Sequence, residues 1–203
     1  MAAQHERTFP VRTKKKTRLS AMVIIPPPDL WEPIQRLRRE HDPQVKRWMP
    51  HITLLYPFVP ESAFGEAAES AAAVCKRHRP FRLTLARFRY FVHGARSATL
   101  WLDPRPLAPL TDLQAALQKT FPHCDDVARL SGLFTPHLSV GRFAGEKKVA
   151  VACDRLQAEW APLDFEVDRV CLIARSGKAD DPFRVRREIL LGRGKRAAPG
   201  SAQ

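Results

Sequence analysis

No stretch of this 203-residue chain approaches the roughly 18 to 20 consecutive apolar residues that a membrane-spanning helix needs, so no membrane partner is expected. The N-terminus also lacks an apolar signal-like run, because Arg12, Lys14, Lys15, Lys16 and Arg18 occupy that region. Pro10 and the consecutive lysines argue against an amphipathic targeting helix there. Cysteine is sparse and unpaired: Cys75, Cys124, Cys153 and Cys171 are widely separated, with no CxxC spacing. That pattern suits neither a clustered zinc site nor the disulfide framework of a small secreted chain. It suits buried free thiols in a reducing compartment. A cytoplasmic location is therefore expected, with the nucleus the alternative in a eukaryote. No metal or other cofactor is expected.

What is present is ordinary for a globular protein, with 44% hydrophobic and 27% charged residues. The length is enough for one domain with a proper core, or for two small lobes sharing one. The net charge of +13 is unevenly spread. Residues 1–20 carry six Lys and Arg against Glu6, and residues 192–203 add Arg193, Lys195 and Arg196. The expected organisation is a basic, disordered tail over 1–19, a single folded domain over 20–191, and a second basic tail over 192–203. Such tails strengthen salt-sensitive attraction to a polyanion. They do not establish one as the partner.

Between the tails, hydrophobic periodicity gives an alternation of strands and helices. Strands are read at Ser20–Ile25, His51–Tyr56, Phe81–Tyr90, Ser97–Leu102, His137–Phe143, Leu163–Ala174 and Phe183–Leu191. Helices are read from Leu30 to His41, Ser62 to His78, Leu110 to Phe121 and Glu146 to Trp160. Asp29, three residues before Glu32, reads as the N-cap of the first helix. Each half of the chain runs strand, helix, Pro-His strand, helix, strand. The fold class expected is α+β: bilobal, from duplicated strand–helix–strand halves, with two antiparallel sheets facing a central cleft; the alternative is a single continuous sheet with helices on one side.

Seven histidines occur, and only His51 and His137 have a hydroxyl residue two positions on, at Thr53 and Ser139. Both also follow a proline and precede an aliphatic residue, in Pro50-His51-Ile52-Thr53-Leu54 and Pro136-His137-Leu138-Ser139-Val140. Ser and Thr together make up 17 of 203 residues, so chance predicts fewer than one such hydroxyl among seven histidines. In a strand, residues i and i+2 share a face. Each imidazole therefore projects beside a hydroxyl, while Ile52, Leu54, Leu138 and Val140 anchor the other face. One group of each pair moves a proton and the other holds an anion oxygen; two facing pairs supply an acid and a base.

These two H-x-[ST]-x motifs, the second continuing as Val140-Gly141-Arg142, resemble those of the 2H phosphoesterase superfamily. The chain is most similar to its 2'-5' RNA ligase-like members, also described as RNA 2',3'-cyclic phosphodiesterases, over residues 20–191. The resemblance implies a bilobal fold with both motifs lining the cleft, no metal requirement, and action on 2',3'-cyclic phosphates or 2'-5' linkages. It departs from the pattern at Ser139, where many members have Thr, and in its long basic N-terminal tail. His51 and His137 are the expected catalytic pair, and Thr53 and Ser139 the phosphate-binding hydroxyls. Arg142, Tyr56, Phe58 and Phe143, at the ends of the motif strands, are candidate substrate contacts. A regular strand puts Arg142 on the face opposite His137. Arg82, Arg87 and Arg89 form a basic stripe on one strand and read as a solvated face, and the four tryptophans read as packing residues. The partner expected is RNA or a nucleotide, bound by a monomer. The alternative is a non-catalytic RNA- or nucleotide-binding protein on the same fold.

Overall fold

The computed structural model describes residues 15–129 and 133–192. Tail residues 1–14 and 193–203 lie outside them. In chain order the elements are β1 (Ser20–Ile24), α1 (Trp31–His41), β2 (Ile52–Leu55), α2 (Phe64–Cys75), β3 (Phe81–Val92), β4 (Ala98–Arg105), α3 (Ala108–Thr120), α4 (Asp126–Arg129), β5 (Leu138–Phe143), α5 (Glu146–Glu159), β6 (Leu163–Val167), β7 (Arg169–Ala174) and β8 (Arg184–Leu190). The strands make two antiparallel four-stranded sheets, ordered β2-β1-β7-β8 and β5-β4-β3-β6.

The run Leu163–Ala174, expected as one strand, is two. Leu163–Val167 pairs with β3 in the second sheet, and Ala174 to Cys171 pairs with β1 in the first. The chain crosses between sheets at Asp168, whose carboxylate accepts hydrogen bonds from the Arg169 guanidinium at 2.8 and 2.9 Å. The alternation of Leu163, Phe165 and Val167 ends at the polar pair Asp168 and Arg169, and a continuous apolar run from Val170 to Ala174 follows, a local mark of the break that the single-strand expectation passed over. The sequence halves consequently exchange strands: β3, from the first half, pairs with β4 and β6 of the second.

Helices follow the same exchange. α1 buries Ile34 and Leu37 and packs on β5 of the second sheet. α3 buries Leu110, Leu113 and Leu117 and packs toward β2 and α2. α2 covers β7 and β8, and α5 covers β3, β4 and β5. One cluster of buried residues runs through both halves, and a smaller one gathers Ala21, Val23, Cys171, Ile173 and Phe183. Asp29 is not a helix cap; it lies in a 3-10 turn, Pro28–Leu30, before α1, and Glu32 instead accepts from exposed Arg39 at 2.5 Å. Nor does the folded part wait for Ser20. Thr17, expected in the basic tail, exchanges backbone hydrogen bonds with Phe58 at 2.7 and 3.2 Å, and Lys16 pairs with Asp125 and Asp126.

Candidate active site

The two motif strands are edge strands, β2 of the first sheet and β5 of the second, and they come into contact with each other. Ile52, Leu54, Leu138 and Val140 are fully buried, as the alternation requires, and each such side chain contributes roughly 1.5–3 kcal/mol of burial. Thr53 and Ser139 are half-buried and border one cavity of about 350 Å³ together with His51.

Each strand carries a β-bulge directly after its hydroxyl residue. In β2, Thr53 faces Val23 and Leu55 faces Met22, so Leu54 is the extra residue. In β5, Ser139 faces Trp101 and Gly141 faces Leu100, so Val140 is the extra residue. A bulge inserts one residue and reverses the alternation beyond it. Arg142 therefore lands on the cleft face, contrary to the expectation for a regular strand, and lines the cavity. Tyr56 is its counterpart, five residues after His51 as Arg142 is five after His137, and lines the same cavity. Gly141 is where α1 crosses β5. A Cβ there would lie 2.6 Å from the His41 Cβ and 3.0 Å from Cε2 of Phe143.

Both imidazoles are pinned alike. Nδ1–H of His51 donates to the Met49 carbonyl at 2.7 Å, and Nδ1–H of His137 donates to the Thr135 carbonyl at 2.8 Å. A carbonyl only accepts, so Nδ1 carries the proton and Nε2 holds the lone pair in each neutral ring. The ring faces differ. Trp48 stacks on His51 at 4.8 Å and is itself backed by Phe183 at 3.7 Å, whereas His137 meets Phe91 at 5.1 Å and Trp101 at 5.9 Å edge-on. Burial pushes the His51 pKa down to about 4, against the Met49 hydrogen bond, and the charges of Arg38 and His137 lower it further. Burial also lowers His137, with a smaller contribution from His93.

Of the other expected contacts, Phe58 is corrected. It is fully buried, with its ring on Phe64 and Phe121, because the strand end turns into the core there. Phe143 is half-buried against His41 at 5.1 Å and does not border the cavity. Trp48 and Trp101, expected only to pack, touch the two histidines. The sequence reading missed Arg38, Asp42 and Gln44, which wall the cavity. Arg38 is 2% exposed and donates through Nε to Asp42 at 2.9 Å and through Nη1 to Gln35 at 2.9 Å. Its signal was a charge four residues after Ile34, on the apolar stripe of α1, with Asp42 four residues further on.

A model of the 2'-5' RNA ligase superfamily matches residues 26–179. A curated relative from Oceanobacillus iheyensis, named "Putative phosphoesterase OB1230", is 24% identical over 173 residues, covering 85% of this chain and 97% of that one. Among solved structures, Escherichia coli LigT complexed with phosphate superposes with a TM-score of 0.58 at 19% identity, covering 88% of this chain and 99% of LigT. LigT complexed with 3'-AMP gives 0.55 at 20% identity, covering 87% and 99%. Among the described residues no helix is long and apolar enough to cross a membrane. With two sheets in this arrangement and a phosphoesterase or ligase activity supported at the level of the family, the chain belongs to the 2'-5' RNA ligase superfamily of 2H phosphoesterases.

Proposed function

We propose that this protein is a metal-independent phosphoesterase that hydrolyses 2',3'-cyclic phosphate ends of RNA or nucleotides, or 2'-5' phosphodiester bonds, by acid–base catalysis with His51 and His137. One neutral imidazole takes a proton from water through Nε2 as the water oxygen bonds to phosphorus. The P–O bond to one ribose oxygen breaks, and the other, protonated histidine gives that oxygen its proton. Thr53 and Ser139 donate to the non-bridging oxygens, where charge builds in the pentavalent transition state. Tyr56 and Arg142 contact the nucleoside and its phosphate. Hydrolysis and ligation share these groups by microscopic reversibility, and water favours hydrolysis.

The observation carrying this reading is the matched pair itself: two imidazoles held by the carbonyl two residues before them, each followed by a cleft hydroxyl and a bulge. LigT has been solved with phosphate and with 3'-AMP, ligands of the kind such a cleft would hold. Incubation with 2',3'-cyclic AMP in excess EDTA is the test. Phosphomonoester should form, and His51→Ala or His137→Ala should abolish its formation. An absolute need for a divalent ion would sink the mechanism, and tight binding without turnover would favour the nucleotide-binding alternative.

A further inference from the structure

The β3–β4 surface beside His137 holds a charged cluster that the two-histidine chemistry does not use. Oδ2 of Asp103, a residue 4% exposed, accepts from Nε of Arg89 at 2.7 Å and from Nε and Nη2 of Arg105 at 3.0 and 2.9 Å. One cation is enough to offset a buried carboxylate. Here two converge, both about half exposed, and both Nη groups of Arg89 and Nη1 of Arg105 have no partner among the described residues. Trp101 lies between this cluster and His137, paired across the strands with Arg89 on one side and Ser139 on the other. Its Nε1–H is buried without a hydrogen-bond acceptor, an arrangement native interiors seldom leave unanswered. Half-buried Phe91 stacks on Trp101 at 4.8 Å with its edge toward His137. A cavity of about 490 Å³ borders Arg89, Trp101, Asp103, Arg105 and Thr135, the residue whose carbonyl holds His137.

We infer that this surface is a second anion subsite, which takes an internal phosphodiester of a single-stranded polynucleotide whose terminal phosphate lies between the histidines. The inference rests on the hydrolytic reading above and extends it from nucleotides to chains. Guanidinium forks match phosphate oxygens two at a time, and an aromatic face beside them stacks a base without reading its identity. Arg89 stands one strand beyond Trp101, about 5 Å away, and Arg105 lies four residues further along the strand of Trp101 itself, so the two guanidinium groups that meet at Asp103 are within reach of the next nucleotide. Asp103 is a positioning residue that holds both forks.

Binding of a fluorescein-labelled hexaribonucleotide ending in a 3'-phosphate, a product that is not turned over, tests this separately from catalysis. Arg89→Gln leaves Arg105 on Asp103, and Arg105→Gln leaves Arg89, so the carboxylate stays paired in both. Each should weaken the hexamer about tenfold and reduce the salt slope of log K by about one. Competition by 3'-AMP should change less than twofold. Trp101→Phe, which keeps the ring and removes the donor, should weaken the hexamer in the same selective way. Equal losses for hexamer and 3'-AMP, or no loss for either, would overturn the subsite. Failure of 2',3'-cyclic AMP turnover with the hexamer result intact would instead remove the hydrolytic reading and leave a polynucleotide-binding face.

Discussion

His51 and His137 occupy the same backbone device on opposite sheet edges, yet their surroundings are unlike. His51 lies under Trp48 and beside buried Arg38 and its partner Asp42; His137 lies against Phe91 and Trp101, on the strand face that carries Arg89 and Arg105. The bulge residues differ as well: after the extra residue comes Leu55 in one strand, buried in the core, and Gly141 in the other, where α1 crosses. Duplicated geometry fixes where the groups point. The neighbours decide how readily each takes a proton and which part of a substrate lies next to it.

The largest effects should come from breaking the shared device. His51→Ala and His137→Ala should each lower kcat for 2',3'-cyclic AMP by about 10²- to 10⁴-fold. The double variant should fall little further, because acid and base act as a unit. Strongly additive losses in steady-state assays would mean that the two histidines serve separate steps. Next in size, Thr53→Val and Ser139→Ala each remove one hydrogen bond to a charged phosphate, worth roughly 1.5–3 kcal/mol, and should cost about 10- to 100-fold in kcat/KM. Ser139→Thr keeps the hydroxyl and should stay close to the parent.

Smaller effects probe the asymmetry. Gly141→Ala sets a methyl against the His41 Cβ and should destabilise the fold by about 1–3 kcal/mol in urea titrations. The pH dependence follows from the lowered histidines. Neutral in the fold and protonated more easily when unfolded, they favour the folded state above about pH 6.5. That advantage is lost as the pH falls from there toward about 4, the value of His51. Urea midpoints should therefore be lower at pH 5 than at pH 7, and His51→Gln should narrow the gap. Arg38→Met removes a charge that disfavours the protonated ring, so the acidic limb of the kcat/KM profile should move to higher pH. An unmoved limb would show that burial, not the Arg38 charge, sets the His51 value.

The motif strands were legible because their evidence is local: a period of two, a hydroxyl at i+2, and proline before the histidine. Arg142 was misplaced for a reason equally physical. Its face depends on a bulge that Val140 does not announce, since a valine suits a bulged and a regular strand alike. Phe58 was a candidate substrate contact, with a core position as the alternative, because a strand end looks the same from the sequence whether the chain turns outward or into the core, where Phe58 lies. The crossing at Asp168 left a local mark, since alternation gives way there to a continuous apolar run, but no local pattern says which sheet each piece joins.

By itself the sequence determined the α+β character, both Pro-His strands, and the setting of a hydroxyl two residues after each imidazole. These follow from side-chain direction along a single strand. The tertiary structure decided which strands join which sheet, that α1 brings Arg38 and Asp42 to His51, and that Trp101, Arg89 and Arg105 flank His137. Those juxtapositions come from pairing and packing between residues distant in the chain, and no local pattern encodes a partner that has yet to be met.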